Sequence, residues 1–448
     1  MYQQGSRLPG ERASKLGHLD VLNSELVQEL VRQFEFPEPQ TGDDSGTPWT
    51  PFTQKALPLR IIFAVDGSLQ IVQSEGLPRR EIAFVKTALL RLDPTAIAKL
   101  DPEYPHPLAL KKMMADSALY HSTVFPLKNV RIPGSKNLDA VRKIIYESIK
   151  DPRLEGQPYE TLKWLLYRKW SDKPQKSPSF DCPHCAEEVP GLPPNSDTET
   201  CPHCLEHLYV TDVVGFHLEM LEDSASQGVA SAYMLIHETL LLFSAIRFFW
   251  EQNRKLLSDV LFIKDGPLTL RGQYSKLVPT IRDFLEFTKN QGSPINLFGQ
   301  EKTGAFVDHL MSIERFASPK TKDDQPHYAV LSHQYIREEI QRTPDKANEY
   351  GKRTNYGEKV FVKLDPYHSM VLSVPTGQYV QRPDFPTVKE DLIGFDRIMA
   401  TLPTLVSHRH QGAILPIELA NGVASLSSYP SAKVLRVFAG LDWLRKMI

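Results

Sequence analysis

The sequence predicts an α/β protein: a mixed sheet of buried strands flanked by helices, carrying a helical insertion and a small ribbon organised by metal. Three observations predict it. Two short apolar runs, Ile61–Val65 and Val260–Ile263, each lead into an Asp-Gly pair, Asp66-Gly67 and Asp265-Gly266. Short apolar runs bounded by turn residues read as strands buried on both faces. Between and after them lie segments whose apolar residues recur at helical spacing, such as 226–257, 274–289 and 305–316. All four cysteines fall within 23 residues, as Cys182-Pro-His-Cys185 and Cys201-Pro-His-Cys204.

A chain of 448 residues predicts two or three units. Residues 1–57 read as a disordered start, a helix over 19–34 and a Pro/Gly-rich linker over 37–53. Residues 58–92 open the sheet. Leu69–Gln73 is expected to fold back on the first Asp strand across a Gly67-Ser68 turn, and Ile82–Leu92 fits either strand or helix. Residues 93–176 read as a helical insertion, with helices over 138–149 and 159–170. Residues 177–210 are the ribbon. Residues 211–448 complete the core: a long helix over 226–257, the second Asp strand, strands at 359–364 and 370–374, and helices near 391–400, 416–427 and 432–446. No internal repeat is evident.

The net charge is −2, so the chain lacks the global basic field of a histone-like DNA binder. A local basic groove remains compatible with that total. The opening MYQQGSRLPGERASKLGH has no apolar core of a secretory signal. The most apolar helical stretch, Leu240–Trp250, is short and holds Ser244 and Arg247, which argues against a membrane span. The expectation is a cytoplasmic protein.

The spacing C-x2-C-x15-C-x2-C, in a chain of this size, is that of a four-thiolate zinc site rather than a disulfide framework. Cys182, Cys185, Cys201 and Cys204 would close the coordination shell, so the site is structural. His184, His203 and His207 read as solvated or supporting residues.

The candidate chemistry lies with the two aspartates. At the carboxyl ends of strands in an open α/β sheet, ligands bind. Two carboxylates brought together there suit Mg²⁺ or Mn²⁺, hard cations that take oxygen ligands. The bland alternative is that Asp-Gly is a common turn dipeptide. Glu238 offers a third carboxylate, flanked on its helix by Leu235, Leu241 and Leu242, where a charge is costly unless paired. Glu251 reads as solvated. Asp365, His368 and the His408-Arg409-His410 run are weaker polar candidates, and Gln300-Glu-Lys-Thr-Gly304 lacks the leading glycines of a phosphate loop.

Taken in order, AVDGS around Asp66, the helix with Glu238, FIKDGPL around Asp265 and the C-terminal LPIELANGVASLS resemble the NurA nuclease family. The resemblance implies an RNase H-like, PIWI-like core. It implies an Mn²⁺-dependent DNA nuclease that acts as a homodimer with the hexameric translocase ATPase HerA, in DNA end processing or anti-phage defence. It makes Asp66, Glu238 and Asp265 the metal ligands. The family's C-terminal helix carries P-x-x-L-x-x-A-H; laid on Pro416 and Leu419, the His position falls on Val423. The nearest polar side chain is Asn421, which cannot trade protons near neutral pH. The family's upstream Tyr has no equivalent near 412–415. The expected function is therefore a metal-dependent DNA nuclease with Asn421 in place of the His. The alternative is a weak or inactive zinc-ribbon adaptor in a translocase complex.

Overall fold

The computed structural model describes residues 21–34, 49–53, 55–93, 118–220, 226–316, 325–342, 350–379, 387–407, 412–427 and 430–441. The expected disordered start, most of the 37–53 linker, the His408–His410 run and the end of the last helix lie outside them. Residues 1–44 with 312–318 form one compact unit; residues 45–311 with 319–448 form the other. The first holds helix α1 (Glu25–Arg32), whose cap Ser24 accepts the Val27 N–H at 3.4 Å.

The second unit contains, in chain order, β1 (Thr50–Pro51), β2 (Ile61–Gln73), β3 (Glu81–Leu92), β4 (Ala118–Pro126), α2 (Asn137–Ile149) and α3 (Gln157–Leu166). The ribbon strands follow: β5 (Phe180–Asp181), β6 (Glu188–Val189), β7 (Thr198–Thr200) and β8 (His207–Tyr209). Then come α4 (Gln227–Gln252), β9 (Val260–Asp265), α5 (Leu277–Asn290), β10 (Asn296–Glu301), β11 (His327–Val330), β12 (Glu358–Asp365), β13 (His368–Val374), α6 (Phe395–Thr401), α7 (Leu415–Ala424) and α8 (Ser431–Phe438). Nine strands make one mixed sheet in the order β1-β11-β12-β13-β10-β9-β2-β3-β4. Helices cover both faces, as expected for a mixed α/β core. On one face α4 packs through Ile236, Leu240 and Phe243 against Val65, Phe262 and Leu297. On the other, Ile398 of α6, Leu402 just after it, and Ile417 and Ala420 of α7 share a core with Ile62, Ala64, Leu261, Ile263 and Phe298.

Two sequence expectations are corrected, and a strand that the sequence does not signal is added. First, β2 does not turn at Asp66-Gly67. It continues to Gln73, and β3 pairs with it throughout, from Ile62↔Leu92 to Gln73↔Glu81. With a partner along its whole length, the strand keeps its backbone hydrogen bonds and the Asp-Gly turn tendency is overridden. What ends near Asp66 is the parallel ladder to β9, at Val65↔Lys264. Second, the 93–176 stretch contributes a sheet strand, β4, paired with β3. Its buried His121, between exposed Tyr120 and Ser122, and buried Phe125, after exposed Val124, follow strand alternation. Third, Asn296–Glu301 is a strand between β9 and β13. Its Gly299 and its three polar side chains, Asn296, Gln300 and Glu301, hide it in the sequence. A Cβ on Gly299 would lie 2.4 Å from the Gly266 carbonyl oxygen, so only glycine lets the Asp265–Gly266 turn approach. Gly299→Ala is expected to destabilise the chain by about 1–3 kcal/mol, the cost of overpacking a rigid site, as read by denaturant melting.

The helix α4 is long and apolar enough to cross a membrane, yet 72% of its most apolar window is buried inside the fold. It is the core helix of this unit. One turn of it faces a polar cluster under β3 and β4. His121 Nδ1 donates to Asp151 Oδ2 at 2.7 Å, which leaves Nε2 to accept from the Tyr233 hydroxyl at 2.8 Å. His237 stacks on His121 with centroids 4.2 Å apart and meets Thr87 Oγ1 through Nδ1 at 2.8 Å. Burial pushes both imidazoles below their ordinary range, His237 far below, and the Asp151 carboxylate only partly offsets this for His121. Lowered folded values mean that the unfolded chain binds these protons more readily. The stabilisation is thus complete above about pH 6.5 and lost as pH falls below it, by up to about 1.4 kcal/mol per pH unit per proton. His237→Phe is expected to flatten the stability profile between pH 6.5 and 4.5; an unchanged slope would refute the role.

Candidate metal centre and zinc ribbon

The ribbon consists of two equivalent knuckles, built on the similar stretches CPHCAE and CPHCLE. In each, the first cysteine carbonyl accepts an N–H four residues on, Ala186 and Leu205, both at positive φ. In each, the first Sγ accepts the backbone N–H of the following His, at 3.4 Å from His184 and 3.5 Å from His203. The four Sγ atoms all lie within 4.8 Å of one another, with Cys182–Cys204 at 3.7 Å and Cys185–Cys201 at 3.8 Å. A tetrahedron of zinc–sulfur bonds about 2.3 Å long has edges of about 3.8 Å. The donor set therefore fits zinc, and the three nearby histidines are engaged elsewhere: His184 with Arg142, His203 with the Glu188 carbonyl, His207 edge-on to Tyr209.

The ribbon is joined firmly to α2. Buried Arg142 forks onto Asp212 at 2.9 and 2.6 Å, reaches Asp139 at 3.0 Å and His184 Nε2 at 2.7 Å, and donates to the His207 carbonyl at 2.7 Å. Burial works against this guanidinium's charge, and the Asp212 pair outweighs it and holds the pKa above the ordinary value.

The aspartates come together by register. In parallel neighbours β2 and β9, Ile62 pairs with Leu261 and Ala64 with Ile263 on the α7 face. Alternation carries Asp66 and Asp265 onto that same face, one step past the last ladder pair. Between β9 and β10, Asp265 is in register with Gln300. Asp66 is 4% exposed. Its Oδ1 accepts the Gly67 N–H at 2.7 Å, while its buried Oδ2 has no hydrogen-bond partner. Burial first, then the charges of Asp265 and Glu238, raise the Asp66 carboxyl to about 7. Asp265 is held by Lys302, whose Nζ lies 3.0 Å from Oδ2.

Glu238 arrives from the opposite face. It is buried on α4, with Oε2 3.2 Å from Lys264 Nζ. Burial raises its carboxyl, against the pull of Lys264. Gly67 makes its approach possible: a Cβ there would lie 2.3 Å from Glu238 Oε1. The three carboxylates thus feel one another electrostatically, but among the described residues the cysteines are the only set of three or more such side chains whose ligand atoms all lie within 4.8 Å of one another, and the carboxylates do not close to that distance. A buried, unpartnered carboxylate oxygen beside two further carboxylates suits a divalent cation.

Asn421 is exposed on α7, and among the described residues no hydrogen bond joins it to these carboxylates. Asp365 turns inward on its own hairpin, accepting the N–H groups of Tyr367 and His368 and the His368 Nδ1 proton. Glu251 is exposed, as expected. Sequence inspection missed four residues. Lys264 breaks an otherwise apolar strand, and a buried lysine demands a partner. Lys302 and Gln300 lie in the stretch that lacks the leading glycines of a phosphate loop. Glu418, on α7, has both carboxylate oxygens buried without a hydrogen-bond partner.

Comparison with known proteins is sparse. No family model matches the chain, and no curated protein matches it. Among solved structures, the chain is similar to one described as "Crystal structure of NurA", with 12% identity and a TM-score of 0.29 over 95% of this chain and 97% of that one.

Proposed function

We propose that this chain is a metal-dependent phosphodiesterase. One observation carries the reading: the unpartnered, buried Asp66 Oδ2 lies beside Asp265 on the neighbouring parallel strand. Asp66, Asp265 and Glu238 would hold Mn²⁺ or Mg²⁺, which when bound activates water and offsets charge on a scissile phosphate. The protein's own part is to hold the carboxylates dry and in register. Lys302 restrains Asp265, and Lys264 restrains Glu238, so neither carboxylate swings away.

More narrowly, we propose a NurA-type DNA nuclease of the cytoplasm with an RNase H-like core. It would work as a homodimer with a HerA-type hexameric ATPase, in end processing or defence. The order of AVDGS, the Glu238 helix, FIKDGPL and LPIELANG supports this reading. A net charge of −2 suits an enzyme kept on DNA by a partner rather than by its own field. The competing reading, an inactive adaptor, draws support from Lys264 and Lys302, which already neutralise Glu238 and Asp265. Cleavage of linear single- and double-stranded DNA with Mn²⁺, Mg²⁺ or EDTA, with and without such an ATPase, separates the two. Metal-dependent cleavage lost in Asp265→Ala is the expected result. An intact complex that cuts nothing under any of these conditions supports the adaptor.

A further inference from the structure

We propose that Gln300 is a ligand of the same cation, binding it through Oε1 as a neutral oxygen beside Asp66 and Asp265. The inference rests on the metal-dependent reading above and adds a residue to it. Gln300 is fully buried on β10, in register with Asp265. Phe298, two residues earlier, packs in the core layer of the α7 face with Leu261 and Ile263. Alternation therefore sets Gln300 on the face that carries both aspartates, so β2, β9 and β10 present Asp66, Asp265 and Gln300 side by side.

The orientation of the amide follows from its partner. Its nitrogen donates to the Gly412 carbonyl, just ahead of α7. A carbonyl only accepts, so Nε2 must face Gly412 and Oε1 must face away from it. That oxygen is buried and has no hydrogen-bond partner. Leaving a buried amide oxygen unpaired opposes folding, and two orphaned oxygens, Asp66 Oδ2 and Gln300 Oε1, occur on one face of three adjacent strands. Side-chain amide carbonyls are ordinary ligands of hard cations.

The test measures Mn²⁺ binding to the full chain by electron paramagnetic resonance, with zinc content and thermal melting as controls for folding. Gln300→Leu and Gln300→Glu are compared with the parent and with Asp66→Asn. The expected result is at least tenfold weaker binding in Gln300→Leu, while Gln300→Glu binds as tightly as the parent or more so. Both variants lose the amide donor to Gly412, but only Gln300→Glu keeps an oxygen. Equal weakening in the two variants overturns the proposal, because the bond to Gly412 then explains the effect. Unchanged binding in Gln300→Leu overturns it as well and leaves Asp66 and Asp265 as ligands. A parent chain that binds no Mn²⁺ removes the metal reading altogether.

Discussion

An Asp66→Asn variant is expected to lose metal-dependent cleavage by about 10²–10³-fold or more and, without added Mn²⁺ or Mg²⁺, to melt higher than the parent at neutral pH. Both effects follow from the same carboxylate. Its folded pKa is raised from 3.8 to about 7, chiefly by burial. A raised acid binds its proton more tightly in the folded state, so its favourable contribution is complete below about pH 4 and is lost as pH rises through 7. Near neutrality the ionised side chain opposes folding by a few kcal/mol, since each pKa unit corresponds to about 1.4 kcal/mol. Asparagine keeps the oxygen that accepts the Gly67 N–H but discards the charge. The loss of activity is of the size seen when a centre of transition-state charge stabilisation is removed, about 10²–10³-fold or more. Activity assays and calorimetry on one preparation check the pair. Lost cleavage with lowered stability would mark Asp66 as a structural residue.

Removing zinc, or replacing Cys201 with Ser, is expected to unfold far more than the ribbon. Cys182 and Cys201 are buried within the same hydrophobic cluster as Trp164, Val213, Phe216 and Tyr233. Arg142 then ties the ribbon to α2 through Asp212. Breaking one partner of such a buried pair costs about 3–5 kcal/mol, and structural zinc supplies about 10–16 kcal/mol to small zinc-finger peptides. One cooperative transition, shifted down by well over 10 °C, is the expected melting trace. A low-temperature step confined to the ribbon, with the main transition unmoved, would show the segment to be autonomous.

Much of this site is written in short stretches of sequence. The thiolate spacing names its own chemistry, and the apolar runs before Asp66 and Asp265 place two carboxylates on buried strands. What local pattern cannot express is which strands become neighbours. Asp66-Gly67 has turn chemistry, and only the long partner β3 shows that the chain runs straight through it. Asn296–Glu301 carries a glycine and three polar residues, each explained by something distant in sequence: Gly299 by the Gly266 carbonyl, Gln300 by the start of α7 and the aspartate next door, Asn296 by the Val260 carbonyl and Glu301 by Lys359. Glu238 was legible as a costly carboxylate, but its partner Lys264 was legible only as an oddity within a strand. Asn421 stood out by analogy with a motif, whereas Glu418, three residues earlier, gives no local sign that its carboxylate is buried.

The missing side chain at Gly67 has a consequence for how this protein can vary. A sheet ordinarily separates its two helical layers, so that each can drift in sequence without disturbing the other. Here the backbone is bare at one point, and a carboxylate from the α4 layer rests against it, near enough for its charge to raise the carboxyl of Asp66 on the other side. The two layers are therefore bound to a common history. A change beneath the sheet that moves Glu238 or Lys264 alters the charge felt above it, and neither layer can be exchanged for a homologous one without its counterpart.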